Sequence, residues 1–143
     1  MNKSAGIIII LNKSKVLLCR SSNSVLSSTY SFPKGGIEKG EKKIDAAIRE
    51  LFEETSIVVN KKQIINKKEP IVINYVNKRG ISYKRVYLYK VYINDISEIM
   101  LNSEIIPFDR LQLGEVDWAG FLTKEESMSK IFHRVKHLLY LII

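Results

Sequence analysis

A mixed α/β (α+β) domain is what this sequence predicts, and three observations carry that expectation. The chain opens on two β-rich apolar runs, GIIIILN and KVLLCR, set so close that they read as a hairpin. One amphipathic helix follows. Beyond it come two further strand candidates, EPIVINYVN and YKRVYLYKVYI, joined by a turn at NKRG. No linker, repeat or low-complexity tract interrupts the 143 residues, so residues 1–143 are expected to form a single domain.

Taken in order, the opening runs are separated only by KS, too short for anything but a turn. SSNSVLSSTY is polar and turn-prone, and reads as a loop leading into SFPKGG. From about Lys42 to Thr55, the residues Ile44, Ala47, Ile48, Leu51 and Thr55 recur at helical spacing and give one buried stripe. After the second strand pair and a looser region, VDWAGFL reads as a short strand. A last helix is expected from Thr123, with Thr123 as N-cap and Glu126 completing a capping box. Its apolar stripe would be Met128, Ile131, Phe132, Val135, Leu138, Leu139 and Ile142.

Lys plus Arg number 23 against 15 for Asp plus Glu, a formal charge of +8. That excess favours polyanionic partners such as phosphorylated metabolites, nucleotides or RNA, although solubility alone would also account for it. Cys19, the sole cysteine, permits no internal disulfide and suggests a reducing, cytoplasmic setting. Within KVLLCR it reads as a packed side chain rather than a nucleophile. Neither AGIIIIL nor HLLYLII is long enough to span a bilayer, so no membrane association is expected. The apolar end LLYLII is either core or the contact of a homodimer.

Four glutamates, Glu41, Glu50, Glu53 and Glu54, gather around one short helix in this basic chain. At about 100° per residue, Glu50, Glu53 and Glu54 span an arc of roughly 100°, away from the apolar stripe. Oxygen-rich clusters of this kind suit hard cations such as Mg²⁺ or Mn²⁺, which bridge to substrate phosphates. Zn²⁺ would prefer His or Cys, and neither is near in sequence. The glutamates alone would equally make a solvated face, with Arg49 paired to Glu53 one turn on. His133 and His137 stand four apart, but HRVKH carries cations between them and no acid, so they read as surface histidines.

The wider pattern is more specific. GGIEKGEKKIDAAIRELFEETSI resembles the Nudix box, with Gly35, Glu41, Arg49, Glu50, Leu51, Glu53, Glu54 and Ile57 at matching places. The family's final Gly is Ser56 here. Gly past a helix end usually takes a left-handed turn, so Ser56→Gly is expected to raise stability modestly. The resemblance implies an α/β/α sandwich with a mixed sheet and a loop–helix–loop that binds divalent cations and hydrolyses a pyrophosphate bond. It implies Glu50 and Glu54 as principal metal ligands, with Glu53 as a further ligand or the base. It also implies a backbone carbonyl at Gly35 or Lys34 near the metal, Arg49 orienting the glutamates and Glu41 bracing the loop. Lys34 is expected either to assist at the phosphate or to be a solvated loop lysine. Glu115 is the first candidate for a later-loop base or ligand, and Glu104 the second.

FPKGGIEKGE is similar to the loop of dinucleoside polyphosphate hydrolases, diphosphoinositol polyphosphate phosphohydrolases and RNA-decapping or RNA 5′-pyrophosphohydrolase enzymes. The resemblance therefore implies a nucleotide polyphosphate substrate. The dinucleoside type is slightly preferred, with an RNA 5′ end or the inositol compound as alternatives. A non-enzymatic Nudix-like binding module is less favoured, because all four glutamates are kept. Alternation places Tyr83, Arg85, Tyr87 and Tyr89 on one face of a strand, where Arg85 and Tyr87 would hold phosphate and base while at least two of the tyrosines pack. Lys34, Lys78, Arg79, Lys84 and Arg85 would form a basic approach surface.

Overall fold

A computed structural model of the chain describes residues 1–22 and 30–143. Most of the polar stretch expected as a loop, residues 23–29, lies outside the described residues. The opening hairpin pairs β1 (Asn2–Leu11) with β2 (Lys15–Ser21). Its turn places Asn12 and Lys13 at φ 49° and 59°, the left-handed geometry that matches the twist of a tight hairpin. Along its whole length β1 also pairs in parallel with β6 (Ser82–Ile93), which in turn pairs antiparallel with β5 (Ile71–Val76). Because β1 is central and covered on both sides, its run of isoleucines is buried from end to end instead of alternating.

The hairpin holds together only at its turn, through Ile10–Val16 and Leu11–Lys15. Beyond those pairs the two strands part. β1 takes up β4 (Lys34–Gly36), and β2 takes up β3 (Tyr30–Ser31) and β7 (Val116–Thr123). The segment FPKGG is thereby wedged into the split, with Ser4, Ala5 and Gly6 as partners of Gly36, Gly35 and Lys34. That split positions the site described below.

α1 (Lys43–Thr55) lies on one face, where Ala46, Ala47 and Leu51 pack with Ile7, Ile9, Tyr87 and Tyr89. On the other face Ile8, Leu18, Val86 and Leu88 meet Ile131, Val135, Leu138 and Leu139. The result is the expected α/β/α arrangement on a seven-stranded mixed sheet. Leu138, Leu139 and Ile142 of the apolar C-terminal run are core, while Tyr140 and Leu141 are exposed. Among the described residues no helix is long and apolar enough to cross a membrane.

The last helix is not continuous. The capping box forms as expected, the Thr123 hydroxyl accepting from the Glu126 N–H at 3.2 Å, but α2 ends at Met128 (Lys124–Met128). The Lys130 and Ile131 N–H groups both donate to the Ser127 carbonyl, which closes the helix. Phe132 N–H then donates to the Tyr30 carbonyl at 2.7 Å, tying this segment to β3. A 3₁₀ stretch (His133–Leu138) and a short α3 (Leu139–Ile142) complete the chain. His133 and His137 are exposed on it.

At the C-terminal end of α1, Ser56 has φ 64° and its N–H donates to the Phe52 carbonyl, the left-handed cap a glycine would normally supply. Its hydroxyl also donates to the Arg110 carbonyl at 2.7 Å, and the Arg110 guanidinium donates back to the Ser56 carbonyl at 3.2 Å. The expected gain from Ser56→Gly is therefore offset. Relief of about 1 kcal/mol of backbone strain is set against a hydrogen bond of about 1 kcal/mol. Denaturant unfolding should find Ser56→Gly within about 0.5 kcal/mol of wild type, and Ser56→Ala destabilised by about 1 kcal/mol. A clear stabilisation by Gly would show that the Arg110 contact contributes nothing.

Candidate active site

Three pieces of chain converge where β1 and β2 part: the wedged loop, the carboxylate face of α1 and the start of β7. Gly35 packs directly on Glu50, and a methyl group there would overlap the Glu50 carboxyl group. Only glycine lets that carboxylate lie against the β4 backbone. One residue earlier, the Lys34 N–H donates to Glu54 Oε1 at 2.9 Å. The loop backbone thus bonds Glu54 and leaves room for the Glu50 carboxyl group.

Arg49 organises the remainder. Its Nε and Nη2 donate to the two Glu41 carboxylate oxygens at 2.9 and 3.0 Å, and Nη2 also reaches the Gly36 carbonyl at 2.8 Å. Nη1 donates to Glu50 at 2.9 Å and to Glu53 at 3.1 Å. Glu41 in turn accepts from the Glu38 N–H at 3.0 Å, fixing the loop ahead of the helix. Four carboxylates can therefore share a small volume because one planar, permanently charged fork lies among three of them.

Glu54 is outside that fork. Burial pushes its pKa up to about 8, Glu50 and Glu115 add to the rise, and the Lys34 N–H opposes it. Burial also raises Glu50, against Arg49. The Lys34 ammonium is lowered to about 8, first by burial and then by the neighbouring Lys84. Both shifts have burial as their first cause, and together they bring a carboxylate and an ammonium toward the same pH range at one site.

These shifts set a pH dependence. Glu54 favours the fold fully below about 4.5, and that contribution is lost as pH rises through about 8. Lys34 acts in the other sense, its contribution present above 10.5 and lost as pH falls through about 8. The summed contribution of these two groups in metal-free protein is accordingly lowest near pH 8. In chelator, wild type should lose stability relative to Glu54→Gln between about pH 5 and about pH 8. Parallel curves for the two proteins would contradict the buried state of Glu54.

A cavity of about 370 Å³ opens beside Glu54, lined by Lys34, Lys84, Glu115, Tyr75 and Phe132, with Cys19 in its wall. The thiol is buried and its pKa is raised by that burial, in keeping with a packed side chain. Glu115 thus stands at the cavity, just ahead of β7. Glu104 does not: it pairs with Lys15 at 2.7 Å, four residues along β2 from Cys19, or roughly 13 Å at strand spacing.

Arg85 and Tyr87 also lie elsewhere. Tyr87 packs in the core beneath α1 with Tyr89, and Arg85 donates to Asn74 on the same side of the sheet. The cavity instead uses the opposite side of these strands, through Tyr75 and Lys84. Tyr75 and Phe132, whose rings stand 6.1 Å apart, are not marked by the sequence as cavity residues, Phe132 reading only as part of the last helix's apolar stripe. The alternation of β5 implied a buried Tyr75, but Phe132 reaches the cavity only because of the break after α2.

The donor set fits a hard cation. Among the described residues no three His, Cys, Asp or Glu side chains close into a preformed cage. Glu50 and Glu54 flank the loop backbone, and Mg²⁺ typically takes one or two carboxylates, keeps several waters and adds substrate phosphates. Glu53, held by Arg49 at the exposed rim, would join only by releasing that contact.

This arrangement, a mixed sheet split by a glycine loop over a carboxylate helix, is matched by a NUDIX domain family model over residues 1–133. The chain belongs to the Nudix family. It is 32% identical over 106 residues to a putative mRNA-decapping protein of Acanthamoeba polyphaga mimivirus, covering 73% of this chain and 27% of that protein. It is 43% identical over 61 residues to an RNA pyrophosphohydrolase of Bartonella clarridgeiae, covering 38% of this chain and 35% of that one. The matched stretches thus span about a third or less of these curated relatives. Among solved structures, an Ap4A hydrolase of C. elegans matches with a TM-score of 0.70 at 23% identity, over 98% of this chain and 93% of that chain. A MutT NUDIX hydrolase of Burkholderia pseudomallei reaches 0.71 at 14% identity, over 99% and 98%. These structures establish the shared fold.

Proposed function

We propose that the chain is a Mg²⁺- or Mn²⁺-dependent pyrophosphohydrolase acting on a nucleotide polyphosphate in a reducing, cytoplasmic setting. The observation that carries this reading is the pairing of Gly35 with Glu50 and of the Lys34 N–H with Glu54, at the edge of a cavity holding two lysines. Glu50 and Glu54, with the backbone at Gly35, would hold the cation. When bound, it would neutralise phosphate oxygens and lower the pKa of a bound water. Arg49 orients Glu50 and Glu53 through the bonds described. The Lys34 and Lys84 ammonium groups face the cavity and attract the phosphate chain. Glu115, on the cavity wall, is the better placed proton acceptor, with Glu53 at the rim as the alternative. Tyr75 and Phe132 offer aromatic surface to a base.

Two substrate classes stand out. The names of the sequence relatives favour an RNA 5′ end over the dinucleoside polyphosphate slightly preferred from the sequence, and the latter remains the second reading. The test is kcat/KM with Mg²⁺ on 5′-triphosphate RNA, capped RNA, diadenosine tetraphosphate, a diphosphoinositol polyphosphate and ADP-ribose. An RNA should lead the panel. Leadership by diadenosine tetraphosphate would restore the second reading, and by ADP-ribose would overturn the polyphosphate assignment.

A further inference from the structure

We infer that the face of β5 and β6 left open beside α1 binds single-stranded RNA, holding the chain that trails from an end placed in the catalytic cavity. The inference rests on the pyrophosphohydrolase reading with an RNA substrate. α1 packs over β1 and leaves β5 bare on that side. Ile73 and Tyr75 turn into the opposite core, while Val72, Asn74 and Val76 are exposed.

Three cations border this bare surface. Lys3 and Arg85 are register partners across β1 and β6. Lys43, in the first turn of α1, places its Nζ 4.4 Å from the centre of the Tyr87 ring. None of the three forms an ion pair with a carboxylate among the described residues. The pKa of the Tyr87 phenol is lowered by the Arg85 hydrogen bond first, and also by the charges of Lys43, Arg85 and Lys3.

Like charges gathered without counter-ions repel, and a polyanion laid across them relieves that repulsion while releasing its own counter-ions. Exposed lysines are often merely solvated. Here one of them, Lys3, lines a groove that leads from the α1 side of the sheet, past the start of β1, to Lys84 on the cavity side. That groove, of about 600 Å³ and lined by Lys3, Ser4, Gly36, Glu38 and Lys84, runs from β1 to the catalytic loop. Lys84 lines the catalytic cavity as well. A strand with its end in the cavity can pass Lys84 and reach Lys3 without leaving the protein, whereas a dinucleoside polyphosphate has no chain to extend there.

The test uses the Lys3→Ala/Lys43→Ala double variant of the full chain. Binding of a single-stranded 5′-triphosphate RNA of about twenty nucleotides should weaken by roughly tenfold, measured in the Glu54→Gln background to prevent turnover. The slope of log K against log salt should become shallower by about 1.4, at ~0.7 per phosphate contact on a single strand. Hydrolysis of a nucleoside triphosphate by the double variant with Glu54 intact should keep its kcat/KM. Unchanged RNA affinity and salt slope would overturn the inference, as would an equal loss on the mononucleotide. If the wild-type chain hydrolysed no phosphate substrate while RNA binding still followed the two lysines, the catalytic reading would fail and the binding surface would stand.

Discussion

Glu54→Gln is expected to lower kcat by about a thousandfold while leaving the fold intact, the scale of removing a principal group acting on developing charge. The amide keeps an oxygen to accept from the Lys34 N–H, so the backbone bond at 2.9 Å can persist. What disappears is the negative charge beside Glu50 and the burden of burying it. The variant should therefore be as stable as wild type or more so at pH 8 without metal. Lost turnover together with retained or raised stability identifies a functional carboxylate; lost turnover with a collapsed fold would not. A Glu54→Gln protein with near wild-type turnover would remove Glu54 from the metal site.

The second large effect is expected at Gly35. Its backbone is fixed by pairing with Ala5, and an added Cβ would overlap the Glu50 carboxyl group. Something must yield. Moving Glu50 strains its 2.9 Å bond to Arg49, and moving β4 opens the strand pairing. Gly35→Ala should cost about 1–3 kcal/mol of stability, as overpacked sites do. It should lower kcat by roughly a hundredfold, the scale of an ångström of misplacement at a reacting centre. Gly36→Ala is the control, because a Cβ there meets nothing within 4 Å. Equal activity losses in the two variants would show that loop flexibility, and not room for Glu50, is what matters.

Much of this architecture could be read from the chain because its determinants are local. The hairpin turn, read at Lys13–Ser14 and found to begin at Asn12, and the stripe of Ala47, Ile48 and Leu51 depend on neighbours within a turn or two. The glutamate spacing on α1 likewise settles which carboxylates share a face. The departures all involve partners distant in sequence. The C-terminal helix, closed on the Ser127 carbonyl, does not resume at once because Phe132 is tied to Tyr30. Ser56 gains a bond from Arg110, 54 residues on. Alternation along β6 showed that Arg85 and Tyr87 share a face, but only the packing of α1 decides which face the cavity takes. Glu115 ranks ahead of Glu104 because it precedes the VDWAGFL strand, but what takes Glu104 from the cavity is its partner Lys15, 89 positions away.

The central claim, a metal-dependent pyrophosphohydrolase built on Glu50 and Glu54, is tested most directly by phosphate and pyrophosphate release from 5′-triphosphate RNA and diadenosine tetraphosphate. Purified wild type and Glu54→Gln would be compared in Mg²⁺ and in chelator. Sustained release from at least one substrate is expected only for wild type with Mg²⁺, restored when the metal is returned after chelation. Release in chelator at an undiminished rate, or no release from either substrate by folded wild type in Mg²⁺ or Mn²⁺, would contradict it.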